Sequence, residues 1–423
     1  MLDLKWLIEN EKIAIKGLQK RKFNTKKVTE LVKLVKTRNE FNHSVEQLQF
    51  KRNELSQQIG IHKRNKNEEL AAKCMNEVAN VKEEIESKII LLNDLNKKVD
   101  TLALQIPNIP DASVPVGKDE DDNVVINEYP NLGRGLVKGV KAHYDIAKDL
   151  DIIDFERSVK LAESRFVLYK KDGAKLVRAL ASFMLDVHTQ NGYEEFMPAH
   201  LVNSKMLYGT GQLPKFKKDL YKLQGEDLWL IPTAEVPVTN IYNNEIIDLK
   251  ETKKFVAYTK CFRSEAGSGG KDTRGLIRQH EFHKVELVKL SNHKNVQQDF
   301  IDTVEDAKSI LKLLEIPFRE LLLCSGDIGF SSAKTIDLEL WVPSEQKYRE
   351  VSSISIFNDF QARRAMIRYR DEDGKSRYAN TINGSGVAID RIVAAILENY
   401  QNPDGSISIP SRLIPYFGKD IIK

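Results

Sequence analysis

A chain of 423 residues has room for two or three domains at the usual ~150 residues each, which excludes a single small module. With 41% hydrophobic and 30% charged residues it is too apolar and too mixed in sign to be disordered. Lys plus Arg number 65 against 61 Asp plus Glu, so the chain as a whole does not announce a polyanionic partner; residues 1–105, with 21 Lys/Arg against 15 Asp/Glu, are where any nucleic-acid footprint belongs.

The opening MLDLKWLIENEKI breaks its apolar residues with Asp3, Lys5, Glu9 and Glu11, unlike a signal peptide. No stretch approaches the ~20 apolar residues that span a bilayer, so no membrane partner is expected. Cys74, Cys261 and Cys324 are odd in number and far apart. They offer neither a disulfide framework nor a Cys-x-x-Cys zinc site, and they fit a reducing, cytoplasmic compartment.

From Leu31 to Ile59 a comb of alternating three- and four-residue steps picks out Leu31, Leu34, Arg38, Phe41, Val45, Leu48, Arg52, Leu55 and Ile59. A second comb runs from Ala71 to Leu102 with only Lys88 out of character. Both predict helices with a coiled-coil seam. Between them Gly60, Asn65 and Asn67 read as helix stoppers and Glu68 and Glu69 as a new start, giving an antiparallel hairpin on the order of 50 Å long. Lys51, Arg52, Lys63 and Arg64 make it a basic rod toward the tip. The heptads alone favour a solvated spacer or a dimerising coiled coil.

Residues 106–130 carry Pro107, Pro110, Pro115, Pro130 and the acidic run KDEDDN, which reads as a linker or covering loop. Beyond it, short alternating segments such as 336–342 are interspersed with helical ones such as 175–190. Strands without a regular βαβ rhythm predict an α+β domain on a largely antiparallel sheet flanked by helices.

The densest chemical signal is residues 257–290. As a strand, 257–265 puts Ala257, Thr259, Cys261, Arg263 and Glu265 on one face; the return strand puts Arg278, His280, Phe282, Lys284 and Glu286 on one face. The loop between them, with Gly267, Gly269, Gly270 and Gly275 around Lys271 and Arg274, is glycine-rich and cationic. So many charges beside an aromatic ring are costly in a core and suit a charged, partly aromatic ligand. A purely structural salt-bridged hairpin accounts equally for this segment taken alone. His280 and His283 have opposite parity on a strand and do not read as a metal pair. No GxxxxGK[ST] is present.

Three further segments add polar groups. Thr233, Ala234 and Glu235 lie between Pro232 and Pro237 in what reads as a kinked loop; Glu350, Val351, Ser352 and Ser353 lie beside apparent strands. Asn383, Gly384, Ser385 and Gly386 read as a glycine turn before a helix that carries Arg391.

In order along the chain, TAE, FRSEAG, a glycine loop, RGLIRQHEFHKVE, EVSS and NGSGVAIDR resemble a class II aminoacyl-tRNA synthetase, and most closely the seryl-tRNA synthetases, over essentially the whole chain. KRNELSQQIG in the helical hairpin, GYEEFMPAHLVN with Pro198, and PSRLIPYFG near the end extend the resemblance. It implies a tRNA-binding coiled-coil arm over 1–105 and a class II catalytic domain over 106–423, with the linker at about 106–130. It implies ATP and Mg²⁺ without zinc, L-serine as substrate, serine tRNA as acceptor with selenocysteine tRNA as a second candidate, and a cytoplasmic homodimer whose arm crosses to the partner subunit. Arg263 is implied to hold the α-phosphate, Glu265 to read the adenine amino group, and Phe282 and Arg391 to sandwich the base. Ser264, Lys284, Val351 and Ser352 complete the implied ATP contacts, with Glu350 and Ser353 on Mg²⁺. Arg263, Glu350 and Arg391 are the implied catalytic set. The implied serine pocket is Thr233, Ala234, Glu235, Arg263, Glu286, Asn383 and Ser385. Lys51, Arg52, Lys63 and Arg64 become tRNA contacts, which reverses the spacer reading of the rod. Asp390 stands where the family more often has glycine and either pairs with Arg391 or faces away. The rivals are a relative that loads a carrier protein and a non-enzymatic RNA-binding paralogue; the basic arm and the full set of site residues argue against each in turn.

Overall fold

The computed structural model describes residues 1–267, 269 and 274–423, so Gly270 and Lys271 of the glycine-rich loop lie outside the described residues. The chain divides into two units, Met1–Pro107 and Asn108–Lys423.

In the first unit two short helices, α1 (Leu4–Glu9) and α2 (Glu11–Gln19), precede α3 (Lys26–Arg64) and α4 (Glu68–Ala103). At ~1.5 Å per residue the two long helices extend roughly 55–60 Å and pack along each other. Every position of both combs is buried or half-buried, and Leu55, Cys74, Val81 and Ile85 form the seam's inner cluster. Lys88 is tolerated there because its ammonium sits 5.9 Å from the centre of the Phe41 ring while reaching Glu84 at 3.6 Å. The expected stop at Gly60 is incorrect: α3 runs on to Arg64 and turns only at Asn65–Asn67 with Lys66 at φ +58°. An isolated glycine costs a helix only ~1 kcal/mol, less than the packing on either side of it supplies.

The second unit is built on a sheet of eight strands among the described residues: β1 (Val124–Tyr129), β2 (Glu194–Glu195), β3 (Lys253–Phe262), β4 (Glu281–Ser291), β5 (Phe318–Leu322), β6 (Lys334–Val342), β7 (Lys347–Asn358) and β8 (Asn380–Ala388). Their spatial order is β1-β5-β6-β7-β8-β4-β3-β2. All neighbours are antiparallel except β2 with β3. The helices used below are α5 (His143–Asp149), α6 (Lys171–Gln190), α7 (Glu235–Thr239), α8 (Val296–Leu313), α9 (Phe360–Ala365) and α10 (Ile389–Asn399). The main apolar core joins α6, α8 and α10 to one face of the sheet, with Leu180, Leu311 and Val393 fully buried. A second cluster around Phe255, Val288 and Ala362 covers part of the other face.

Three local expectations need correction. Part of the expected linker is structured: β1 pairs with β5, and Val114 is buried against Leu321, Leu323 and Ile328. Residues 383–386 are not a turn but the interior of β8, with a bulge between Ser385 and Val387. Their glycines serve close packing instead, since a Cβ on Gly384 would stand 2.8 Å from Ile354 Cγ1 and one on Gly386 2.8 Å from His188 Nε2. Residues 233–235 are not an open loop either, because Ala234 caps the short helix α7.

Candidate active site

In the β3–β4 register Cys261 faces Phe282, Thr259 faces Lys284 and Ala257 faces Glu286. Strand alternation therefore puts Phe282, Lys284 and Glu286 on one face, as period two requires. The strands are shorter than expected, so Arg263 and Glu265 lie just past the end of β3 and Arg278 and His280 before the start of β4. Glu265 adopts φ +50°, a turn geometry that brings its carboxylate to 3.4 Å from Arg278 Nη1.

β4 is central and buried on both faces from Lys284 onward, so Lys284 and Glu286, on the same face, must satisfy each other. Lys284 Nζ pairs with Glu286 Oε2 and also donates to Thr233 Oγ1 at 3.0 Å; the Thr233 hydroxyl donates to Glu286 Oε2 at 2.7 Å. The Glu235 N–H donates to the same threonine oxygen at 3.2 Å. Glu235 is 7% exposed, and its carboxyl is pushed up to about 7 by burial first and by the Glu286 charge second, against the pull of Gln361 and Lys284. These groups line a cavity of about 570 Å³ together with Asn383, Ser385 and Ser353.

A second cavity of about 200 Å³ adjoins it. Arg263, Glu265, Arg278, Lys284, Glu350 and Ser385 line both. Phe282, Val351 and Arg391 line only the second. The Arg263 guanidinium stands 5.1 Å from the Phe282 ring centre, and its Nε donates to the Pro232 carbonyl at 3.3 Å. Arg391 is held by two carbonyls: Nε donates to Ile277 at 3.1 Å and Nη1 to Glu350 at 2.5 Å, with the Glu350 carboxylate 3.6 Å away. Asp390 faces away from it, accepting from the Tyr169 hydroxyl at 2.6 Å and the His283 N–H at 2.6 Å.

Three of the expected site residues lie outside both linings. Ala234 is fully buried in the second apolar cluster, Ser264 directs its hydroxyl to the Lys218 carbonyl at 2.7 Å, and Ser352 directs its own to the Ser385 carbonyl at 2.5 Å. Each sits one residue from positions that do line a cavity: Ser264 and Ser352 lie in extended chain, where neighbouring side chains point to opposite sides, whereas Ala234 turns inward at the start of α7. On the arm, Lys51, Lys63 and Arg64 are exposed and Arg52 is half-buried.

Two partners of the site carry no sequence signature of their own. Gln361 on α9, 1% exposed, donates to Glu235 Oε1 at 2.6 Å and the Thr210 carbonyl at 3.1 Å, and accepts from Thr381 at 2.6 Å. Asp337 lies opposite Ser353 in the β6–β7 register, with Oδ1 buried and lacking a hydrogen-bond partner. Burial, and then the Glu350 charge, hold its carboxyl well above the usual carboxylate range. Among the described residues no group of three or more His, Cys, Asp or Glu stands together as a metal cage.

This constellation has counterparts elsewhere. Residues 1–110 match the model of the seryl-tRNA synthetase N-terminal domain, and residues 216–400 that of the class II tRNA synthetase core domain for Gly, His, Pro, Ser and Thr. The serine–tRNA ligase of Metamycoplasma arthritidis is 61% identical over 98% of each chain, and that of Mycoplasma mobile 56% identical over 100% of each. Among solved structures, seryl-tRNA synthetase from Pyrococcus horikoshii complexed with ATP superposes with a TM-score of 0.93 at 35% identity, covering 100% of this chain and 99% of that one.

Proposed function

The chain belongs to the seryl-tRNA synthetase family, whose activity is to activate serine with ATP and load it onto tRNA, and from that premise we propose that its two adjoining cavities hold serine and ATP side by side. The carrying observation is the shared wall: Arg263, Lys284 and Glu350 border both cavities, so the serine carboxylate and the α-phosphate meet there.

The serine carboxylate attacks the α-phosphorus; the new P–O bond forms as the bond to the β-phosphate breaks and pyrophosphate leaves with its electrons. No side-chain nucleophile or base is needed, so positioning and charge neutralisation carry the rate. Arg263 neutralises charge on the α-phosphate. Phe282 and Arg391 clasp the adenine between a ring and a guanidinium, and Glu265 accepts from its amino group. Thr233, Glu235 and Glu286 take the serine ammonium and hydroxyl, with Asn383 and Ser385 on the β8 wall. A pocket of paired polar groups rejects alanine because its donors and acceptors are left unsatisfied. The residues fit a hard cation: Glu350 and Ser353 offer oxygen ligands on the cavity wall, and Asp337, opposite Ser353 in the β6–β7 register, keeps a buried Oδ1 without a hydrogen-bond partner. Mg²⁺ held by Glu350 and Ser353 would supply neutralisation of the phosphate charge.

For the first unit the proposal is a tRNA-binding arm over 1–105, joined to the catalytic domain over 106–423. The exposed Lys51, Lys63 and Arg64, with half-buried Arg52, support it, because structured RNA is gripped through its backbone. A homodimer is supported by Met197, 89% exposed, and Leu201, 36% exposed, beyond the edge strand β2. A cytoplasmic setting is consistent with three buried free cysteines. Among the described residues no helix is long and apolar enough to cross a membrane.

The test is serine-dependent exchange of labelled pyrophosphate into ATP without tRNA, with threonine and alanine as controls. Exchange with serine alone is expected; exchange with none of the three from a folded protein overturns the assignment of the pocket.

A further inference from the structure

Behind the second cavity, on the far side of the Leu276–Ile277 backbone, lies a buried pair to which the activation chemistry assigns no part. His143 opens α5 and is 2% exposed; Glu398, near the end of α10, is fully buried. Glu398 Oε1 accepts from His143 Nδ1 at 2.7 Å and from the His143 N–H at 2.9 Å. Ser344 adds its N–H to Oε2 at 2.8 Å and its hydroxyl to Oε1 at 2.9 Å. Burial works to raise the Glu398 carboxyl, but these bonds prevail and hold it below its ordinary value, as a carboxylate.

The other ring nitrogen faces the chain that enters the cleft. The Leu276 N–H donates to His143 Nε2 at 3.0 Å. A backbone amide can only donate, so Nε2 is unprotonated and the ring proton sits on Nδ1, toward Glu398. The next residue, Ile277, offers its carbonyl to Arg391 Nε at 3.1 Å. Arg391 and Glu398 share α10, two turns apart. The bonds therefore form a closed circuit that leaves α10 at Glu398, passes through His143, Leu276 and Ile277, and returns at Arg391. Gly275 makes room for it: its φ is +76°, and a Cβ there would stand 2.1 Å from His143 Nε2.

We propose that His143, oriented by Glu398, is a positioning residue that fixes the Leu276–Ile277 backbone and thereby aims the Arg391 guanidinium into the nucleotide cleft. The inference rests on the reading of that cleft as the adenine site. An arginine held only from its own helix keeps several rotatable bonds, whereas one whose Nε is tied to an anchored carbonyl presents a fixed plane to a flat base. Glu398 selects the tautomer that leaves Nε2 free to accept; without it the ring can turn its N–H on Leu276 and break the circuit.

The experiment is pyrophosphate exchange on the full-length His143→Phe, His143→Gln and Arg391→Ala variants and the His143→Phe/Arg391→Ala pair. Phenylalanine keeps the ring's bulk but accepts nothing, and is expected to raise the KM for ATP about tenfold, the size of one lost hydrogen bond to a charged partner's support, with the KM for serine unmoved. Glutamine, whose carbonyl can accept from the Leu276 N–H, is expected to restore most of the loss. The double variant is expected to be no worse than Arg391→Ala alone, because both changes remove one function. An ATP KM unchanged in His143→Phe, equal rises in both KM values, or additive losses in the pair overturn the proposal. If Arg391→Ala itself leaves the ATP KM unchanged, the adenine reading fails and the positioning role falls with it; a rise there without one in His143→Phe removes the positioning role alone. Should His143→Phe not fold, Gly275→Ala wedges the same contact from the loop side. The same selective rise in ATP KM is expected from it, and its absence overturns the proposal.

Discussion

The two units handle charge in opposite ways. In the arm, most charges lie on the solvent side of a heptad seam; the three on the seam itself, Arg38, Arg52 and Lys88, are only half-buried, and Lys88 keeps its ammonium 5.9 Å from the Phe41 ring centre. In the catalytic unit Lys284, Glu286 and Glu235 are driven into the sheet and satisfied by one another, by Thr233 and by Gln361. A solvated charge is cheap and replaceable, while a buried one is costly and must be placed; the arm can tolerate drift in its basic residues and the pocket cannot. The largest expected effect follows from this contrast. Arg263→Ala should lower serine-dependent pyrophosphate exchange by about 10³-fold, the scale of losing one preorganised charge at the reacting centre, while tRNA binding in a filter assay stays near wild type. Retained exchange would remove Arg263 from the mechanism.

Breaking the buried pair should separate stability from chemistry. Lys284→Met leaves Glu286 and Glu235 as neighbouring buried carboxyls without their cation, and is expected to cost about 3–5 kcal/mol in unfolding free energy. The same change on the arm, Lys88→Met, should cost well under about 1 kcal/mol by urea unfolding. Similar costs in both places would erase the distinction between the units.

The pocket should also respond to pH through a buried carboxyl. Glu235 has its carboxyl raised to about 7, so it is largely protonated at pH 6 and largely ionised at pH 8. Serine brings an ammonium, which favours the ionised form, so the KM for serine should fall about tenfold across that interval. The sign is opposite for folding: ionising a buried carboxyl whose value is raised costs stability as pH rises from the ordinary carboxylate range through 7. Glu235→Gln should flatten the serine profile; an unflattened profile would assign the titration to another group. On the arm, replacing Lys51, Arg52, Lys63 and Arg64 by Gln should weaken tRNA binding and reduce its logarithmic salt slope by at most about four units, leaving serine exchange intact. His62, Lys63 and Arg64 also occupy the last turn of α3, where positive charge offsets the helix dipole, so part of the change in Lys63 and Arg64 is a few tenths of a kcal/mol of arm stability.

The same contrast explains what was legible in the sequence. Period 3.5 marks the arm residue by residue because its burial is set by local geometry alone, and period two puts Phe282, Lys284 and Glu286 together before any fold is known. Which groups oppose them is a matter of sheet order, and that is non-local. Gln361 reaches Glu235 across 126 positions and His143 reaches Glu398 across 255. Neither belongs to a periodic pattern or a motif, and a lone glutamine or histidine in a helix reads as surface. The NGSG segment misled for a related reason: glycine marks a turn when the chain reverses and a close approach when a neighbour crowds it, and only the positions of Ile354 and His188 decide between them.

Gly60 offers the finest test of this distinction. It lies exposed inside α3, and a Cβ there would meet nothing within 4 Å. Its φ is not among the positive values, so alanine adopts the same backbone without strain. Gly60→Ala should therefore stabilise the arm by about 1 kcal/mol, through the smaller backbone entropy of the unfolded chain, in helix-detected thermal unfolding of the whole protein. Serine exchange should be unaltered. Gly384→Ala in β8 makes the same chemical change where a Cβ would press on Ile354, and it should destabilise and raise the KM for serine because Asn383 and Ser385 flank it. If both glycines respond alike, packing around them is not what separates the arm from the sheet.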